Sequence, residues 1–216
     1  MRTLKNLVAG GLLAVVSLFS AACSAADTGS ASFQAGRDYS ELPSVQKPAD
    51  PKRISVEEFF WYGCPHCYTL DPALETWLKT KPADVDFARV PNTLGRPEGE
   101  VHSRAFYIAQ TLGILDKTHK PLFDAIHVQH QSMTDLGSIR ALYVAAAGIK
   151  PADFDGVATS FVVDSAMRRA EAQARTYVIR SVPNIIVGGQ YSVPSTPNTF
   201  KVLDYLLAKI RKDRGN

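Results

Sequence analysis

Phe59-Phe60-Trp61-Tyr62-Gly63-Cys64-Pro65-His66-Cys67-Tyr68 is the stretch that decides the fold of this chain. Its apolar, aromatic-rich first half reads as a buried strand, which Gly63 breaks. Two cysteines with two residues between them follow, and residues 68–79 then take up helical spacing. A strand, a turn and a C-x-x-C pair opening a helix form a redox arrangement. Cys64 falls at the helix N-terminus, where unpaired backbone N–H groups and the positive end of the dipole favour a thiolate. Pro65 suits the first helical position because it has no N–H to leave unpaired. Cys67 lies nearly one turn further on, within reach of a disulfide with Cys64. A protonated His66 would add a positive charge beside the Cys64 sulfur.

Two plainer readings compete. A structural disulfide with this spacing closes a very short loop and constrains the unfolded chain little. A metal clip would use Cys64, Cys67 and a histidine, but no second C-x-x-C exists to complete a structural zinc site. His127 and His130 lie one turn apart without a carboxylate or cysteine evidently poised to join them. With His119, they read as surface or core side chains, and no metal site is assigned.

A length of 216 residues suits one domain, or one domain with an insertion. Hydrophobic residues make up 45% and charged residues 21%, ordinary for a chain able to bury a core. Residues 1–22 have signal-peptide anatomy: Arg2 and Lys5, an apolar run over residues 7–19, then Ser20-Ala21-Ala22. The run is too short to span a membrane, and no later stretch qualifies. Removing Arg2 and Lys5 leaves 22 basic against 21 acidic residues, so much of the formal +3 belongs to an export signal. Nothing in this balance points to nucleic acid. Ser20-Ala21-Ala22-Cys23 resembles a bacterial lipoprotein cleavage site with Cys23 as the lipidated residue; ordinary cleavage after Ala22 or Ala26 is the alternative. Residues 23–37 read as a flexible tether. An exported chain with a C-x-x-C pair belongs in an oxidising compartment.

Residues 39–45 are expected to form a short edge strand, with Pro43 keeping it at the edge. Residues 54–62 form the central strand, with Glu58 and Phe60 on one face and Glu57 and Phe59 on the other. Pro72 should kink the helix after Cys67, whose apolar face continues through Leu74, Trp77 and Leu78. Residues 85–90 alternate as a second central strand ended by Pro91 and Asn92. From residue 100 to 177 almost everything reads as helix. The first carries Val101, Ala105, Ile108 and Leu112; Pro121 begins the second; Asp135 caps a third that Gly148 stops; Pro151 begins a fourth; the fifth spans 164–179. Ser181-Val182-Pro183-Asn184 precedes an apolar strand, Gly188-Gly189 makes a two-residue hairpin turn, and residues 190–193 return antiparallel. An amphipathic helix over residues 197–212 should cover one sheet face.

Cys64-Pro65-His66-Cys67 after a Phe-Phe strand, the long helical segment and the distal Val182-Pro183 occur in an order that resembles the DsbA-type thiol:disulfide oxidoreductases, over about residues 38–212. The resemblance implies an α/β fold: a thioredoxin-like sheet (38–98 and 178–213) with an inserted all-helical domain (99–177). It implies that Pro183 is preceded by a cis bond beside the C-x-x-C pair, leaving the backbone before it free to pair with an extended substrate peptide. Val182, Pro183, Trp61 and Tyr62 are assigned to substrate contact on this basis. Related thioredoxin-like proteins carry a buried acid at the position of Glu58, able to take a proton from the inner cysteine; Glu57 is then expected to face solvent.

The activity so implied is donation of the Cys64–Cys67 disulfide to reduced, partly folded exported proteins. Cys64 would form the mixed disulfide and Cys67 resolve it, with Pro65, His66 and Glu58 tuning the pair. A quinone-linked membrane oxidase of the DsbB type would reoxidise the enzyme, which is expected to act as a monomer without an organic cofactor. A low-pKa, strongly oxidising pair is a known property of DsbA, and this chain is expected to share it. The rivals are a disulfide isomerase or reductase on the same fold, and a metal-binding exported lipoprotein.

Overall fold

Strand β2 (Ile54–Phe60) lies inside a five-stranded sheet of order β1-β5-β4-β2-β3, in a computed structural model that describes residues 33–48 and 50–215. The signal segment and Cys23 lie outside the described residues. Beside β2 run β3 (Val85–Pro91), parallel, and β4 (Asn184–Val187), antiparallel. Strand β5 (Tyr191–Pro194) pairs antiparallel with β4, and the two-residue β1 (Ser40–Glu41) closes that side, ending two residues before Pro43. The parallel β2–β3 pair is joined through α1 (Pro65–Leu78), which continues through Pro72.

Two packed regions enclose the sheet. In one, Leu70, Leu74 and Trp77 of α1 meet Leu203, Leu206 and Ile210 of α7 (Thr199–Asp213) over Ile54, Val56, Ile185 and Val187. The expected covering role of the last helix is thus observed. In the other, Phe59, Phe60, Tyr62 and both cysteines pack with the helices between β3 and β4. These are α2 (Pro97–Thr111), α3 (Leu115–His127), α4 (Leu136–Ala147), α5 (Pro151–Ala158) and α6 (Phe161–Thr176). Asp135 caps α4 by accepting from the Ser138 N–H at 2.9 Å, as its position predicts.

Several expectations are corrected. Among the described residues strand β3 is an edge strand paired only with β2; its alternation leaves Asp86 and Ala88 exposed. Helix α3 begins at Leu115, not at Pro121, which sits inside it. Burial of Thr118, His119, Leu122 and Phe123 on both sides of the proline outweighs the hydrogen bond it removes. Helix α6 starts at Phe161 because the Ser160 hydroxyl caps it, accepting from the Val163 N–H. The hairpin holds Gln190 as well as the two glycines: Gln190 N–H donates to the Val187 carbonyl at 3.1 Å across Gly188 and Gly189, both at positive φ.

Gly99, in the first turn of α2, is packed under the preceding loop. A Cβ there would lie 2.3 Å from the Thr93 carbonyl oxygen and 2.7 Å from the Thr93 Cα. Gly99→Ala should displace that loop and cost about 1–3 kcal/mol, read as a lower denaturation midpoint with an unchanged slope.

Candidate active site

The end of β2 and the start of α1 place the two thiols. The chain turns after Phe60, and the Cys64 N–H donates to the Trp61 carbonyl at 3.0 Å. Cys64 is then the N-cap of α1 with extended backbone, and Pro65 takes the first helical position. Pro65 and His66 are exposed. Both cysteines are free thiols; Cys67 is 0% exposed, and Cys64 only 7%, less open than its helix-end position implies. The Val182 backbone contributes to this cover. The Trp61 ring lies so close to Gly63 that a Cβ there would meet it at 2.3 Å. The Val182 carbonyl lies 3.5 Å from Cys64 Sγ, placed to accept its proton when Cys64 is a thiol, and the Val182–Pro183 bond is cis.

The two sulfurs are driven apart in acidity. The Cys67 thiol donates to the Cys64 sulfur, and the backbone N–H groups of Cys67 and His66 and the His66 charge add to this. Against the opposing effect of burial, they lower Cys64 to about 6. The same hydrogen bond and burial push Cys67 far above an ordinary thiol, with the Glu58 charge adding. The outer sulfur is a thiolate near neutral pH and the inner one a thiol.

Beneath them a single guanidinium serves three carboxylates. Arg89 stands opposite Glu58 in the β2–β3 register. It reaches Glu75 Oε1 at 2.6 Å, Asp71 Oδ1 at 3.0 Å and Glu58 Oε2 at 3.3 Å. The Glu58 contact is the poorest, since neither Glu58 Oε2 nor Arg89 Nε has an aligned hydrogen bond. Burial therefore raises Glu58 to about 8 even though Arg89 pulls it down. Burial also raises Asp71, but its bond to His119 and the Arg89 charge outweigh this and hold it below its ordinary value. His119 Nε2 is 3.3 Å from Asp71 Oδ1, and Nδ1 is 2.8 Å from the Tyr62 hydroxyl. Burial keeps His119 neutral. An ionised Asp71 can only accept, so the neutral ring carries its proton on Nε2 and accepts the Tyr62 O–H at Nδ1.

Tyr62, expected at the substrate surface, is wholly buried and held by His119, so it cannot touch a substrate. Trp61 is partly exposed, under the Arg96 guanidinium 5.5 Å from its ring centre. Glu57 does not face solvent freely. It is half-buried against α6, where Gln173 and Tyr177 bond to it, and burial raises its pKa. His127 Nε2 donates to the Tyr62 carbonyl at 2.7 Å while its ring stacks on Tyr68. No group of three or more His, Cys, Asp or Glu side chains suited to a metal occurs among the described residues. Arg89, Asp71 and Glu75 escaped the sequence reading, and His119, read there as a surface or core side chain, is a core residue that joins them. The spacing of Asp71 and Glu75 on one face of α1, the face turned to an acid-bearing strand, was the available signal.

A reduced C-x-x-C pair at a helix N-terminus, beside a cis-proline and above a buried acid, defines a thioredoxin-like dithiol–disulfide oxidoreductase. The family model of the DSBA-like thioredoxin domain matches residues 83–206, beyond the cysteine motif itself. Curated relatives match over nearly the full length. Thiol:disulfide interchange protein DsbA of Pseudomonas aeruginosa is 34% identical over 96% of this chain and 98% of its own length. That of Azotobacter vinelandii is 36% identical over 96% and 99%. The crystal structure of P. aeruginosa DsbA superposes with a TM-score of 0.76 at 31% identity, covering 85% of this chain and 95% of that one. Oxidoreductase DsbA from Xylella fastidiosa gives 0.74 at 28% identity, covering 85% and 98%. The chain belongs to the DsbA family and is a protein thiol:disulfide oxidoreductase.

Two outcomes follow from the charges. Alkylation of the reduced protein should label Cys64 with a rate midpoint near pH 6 and leave Cys67 unmodified; peptide mapping reads both. The folded chain keeps a proton on Glu58 up to about pH 8, which the unfolded chain releases at about 4.3. Stability is therefore undiminished below the unfolded value and falls as pH rises between the two. Glu58→Gln should match the parent at pH 4 and be more stable at pH 7, by on the order of 2–3 kcal/mol, in denaturant titrations at both pH values.

Proposed function

We propose that this enzyme works as an oxidase, donating the Cys64–Cys67 disulfide to reduced, partly folded exported proteins. The observation that carries the reading is the opposed acidity of the two sulfurs, with Cys64 keeping a narrow 7% exposure and Cys67 none. A substrate thiolate attacks Cys64 Sγ; a new S–S bond forms and the Cys64–Cys67 bond breaks, its electron pair leaving on Cys67. Glu58, protonated near neutral pH and buried below, supplies the proton that this sulfur takes up. A second substrate thiolate then attacks the substrate sulfur of the mixed disulfide and expels Cys64, a good leaving group because its thiolate is stabilised. The substrate loses two electrons and the enzyme gains them as a dithiol. Reoxidation runs the proton the other way, from Cys67 to Glu58.

Pro65 and His66 tune the outer sulfur, and Val182, Pro183 and Trp61 form the rim that a substrate backbone meets. The thioredoxin-like unit (38–98 and 178–213) carries the chemistry, and the helical unit (99–177) closes over it. The signal-peptide anatomy supports a periplasmic enzyme, soluble or held by lipid on Cys23. A membrane oxidase of the DsbB type returns it to the disulfide form. No described helix is long and apolar enough to cross a membrane.

A thiolate on Cys64 exists only in the reduced protein, so its stabilisation favours that form. The folded value of about 6 lies below the ordinary thiol value of about 8.5. The advantage is complete above 8.5 and is lost as pH falls through 6. At pH 7 it is worth up to about 1.4 kcal/mol before solvent screening, or about 30 mV for the two-electron couple. The reduced protein should resist denaturant better than the oxidised one at pH 7, with the gap closing by pH 5. The oxidised protein should transfer its disulfide to a reduced peptide, and Cys67→Ser should trap the mixed disulfide on Cys64. A more stable oxidised form would mark a stabilising disulfide or a reductant's pair.

A further inference from the structure

A groove of about 860 Å³ opens between the loop before α2 and the segment leading from α6 into β4. Its walls converge on the active site. On one side Arg96 covers Trp61, whose ring rests on Gly63, next to Cys64. On the other the chain passes from Val178, Ile179 and Arg180 to Val182, whose carbonyl is 3.5 Å from Cys64 Sγ. Each wall is thus linked, through Trp61 or through Val182, to the turn that carries Cys64.

The lining has a definite chemistry. Arg96, Arg175 and Arg180 are all exposed there. Among the described residues Arg180 has no ion-pair partner, Arg96 has only the Trp61 ring, and Arg175 has only Glu171, at 3.8 Å. Glu100 and Glu171 are the opposing charges, both exposed, so two carboxylates face three guanidinium groups and the lining keeps a positive balance. Val178 adds an apolar contact: it is 47% exposed and held at φ 55°, a region β-branched residues avoid.

We infer that this groove selects substrates, receiving a segment beside the reactive cysteine that carries a carboxylate and an apolar side chain. The inference rests on the disulfide-donor reading and adds a preference to it. Arginine at the groove rim reads a carboxylate, and Val178 gives a small apolar contact on an otherwise wet surface.

The test uses the oxidised full-length mature enzyme and synthetic peptides with one dithiol and either Asp, Lys or Ala two to four residues from the cysteine, on each flank. Oxidation of the Ala peptide establishes the donor activity by itself; if no peptide is oxidised, the donor reading fails first. On one flank at least, the Asp peptide should exceed the Lys peptide in kcat/KM by about fivefold, the factor given by one rim ion pair of about 1 kcal/mol. The difference should lie in KM and shrink with added salt. Arg175→Glu combined with Arg180→Glu should remove or invert the ratio, whereas Lys212→Glu plus Lys79→Glu, the same change in net charge away from the groove, should leave it. A ratio near one in the parent overturns the assignment. So does a ratio that both double variants change equally, or one that the arginine variant leaves intact.

Discussion

Strand β2 has to be buried on both faces, and much of the molecule answers that requirement. Phe59 and Phe60 point to opposite sides and neither reaches solvent. Phe60 packs among Tyr62, Phe106 and His119, while Phe59 meets Tyr177 beyond the end of α6. A three-layer arrangement follows, because a single covering layer would leave one ring in water. The same burial captures Glu57 and Glu58. Two carboxylates inside a protein need partners, and the layers supply them: Gln173 and Tyr177 on one face, Arg89 on the other.

The unequal division of Arg89 gives that burial its chemical consequence. Asp71 and Glu75 hold the guanidinium through hydrogen bonds, and His119 helps to keep Asp71 ionised. Glu58 is left with the longest and least aligned contact and keeps its proton. A fully paired Glu58 would be a fixed anion, unable to exchange a proton with the cysteine above it. Incomplete satisfaction of a buried acid, normally a defect, is what the proposed proton transfer requires. The cost falls on stability at neutral pH.

The helical block does more than cover the sheet. Its second helix, α3, places His119 under Tyr62 and His127 against the Tyr62 carbonyl, bracing the turn that carries Cys64. Its first and last helices bound the arginine-lined groove, so one inserted segment both braces the turn that carries the sulfur and lines the groove inferred to receive substrate.

The amino-acid order by itself determined the strand–turn–helix around Cys64, the caps at Asp135 and Pro151, the glycine hairpin and the fold class. These rest on hydrophobic period, cap chemistry and turn residues, which act between neighbours in the chain. Where a local rule met tertiary packing, packing prevailed. Pro121 lies inside α3 because its flanking side chains are core, and β3 is an edge because nothing pairs beyond it. The site divided in the same way. Cys64, Cys67 and Glu58 were legible, whereas the fates of Tyr62 and Glu57 were not. Alternation assigns a face, but burial depends on what arrives from elsewhere: Gln173 meets Glu57 from 116 residues away and His119 meets Tyr62 from 57. Only the tertiary structure decided how Arg89 is divided among its carboxylates. That competition is settled by distances of a few tenths of an ångström in a medium of low dielectric, and no spacing in the sequence encodes it.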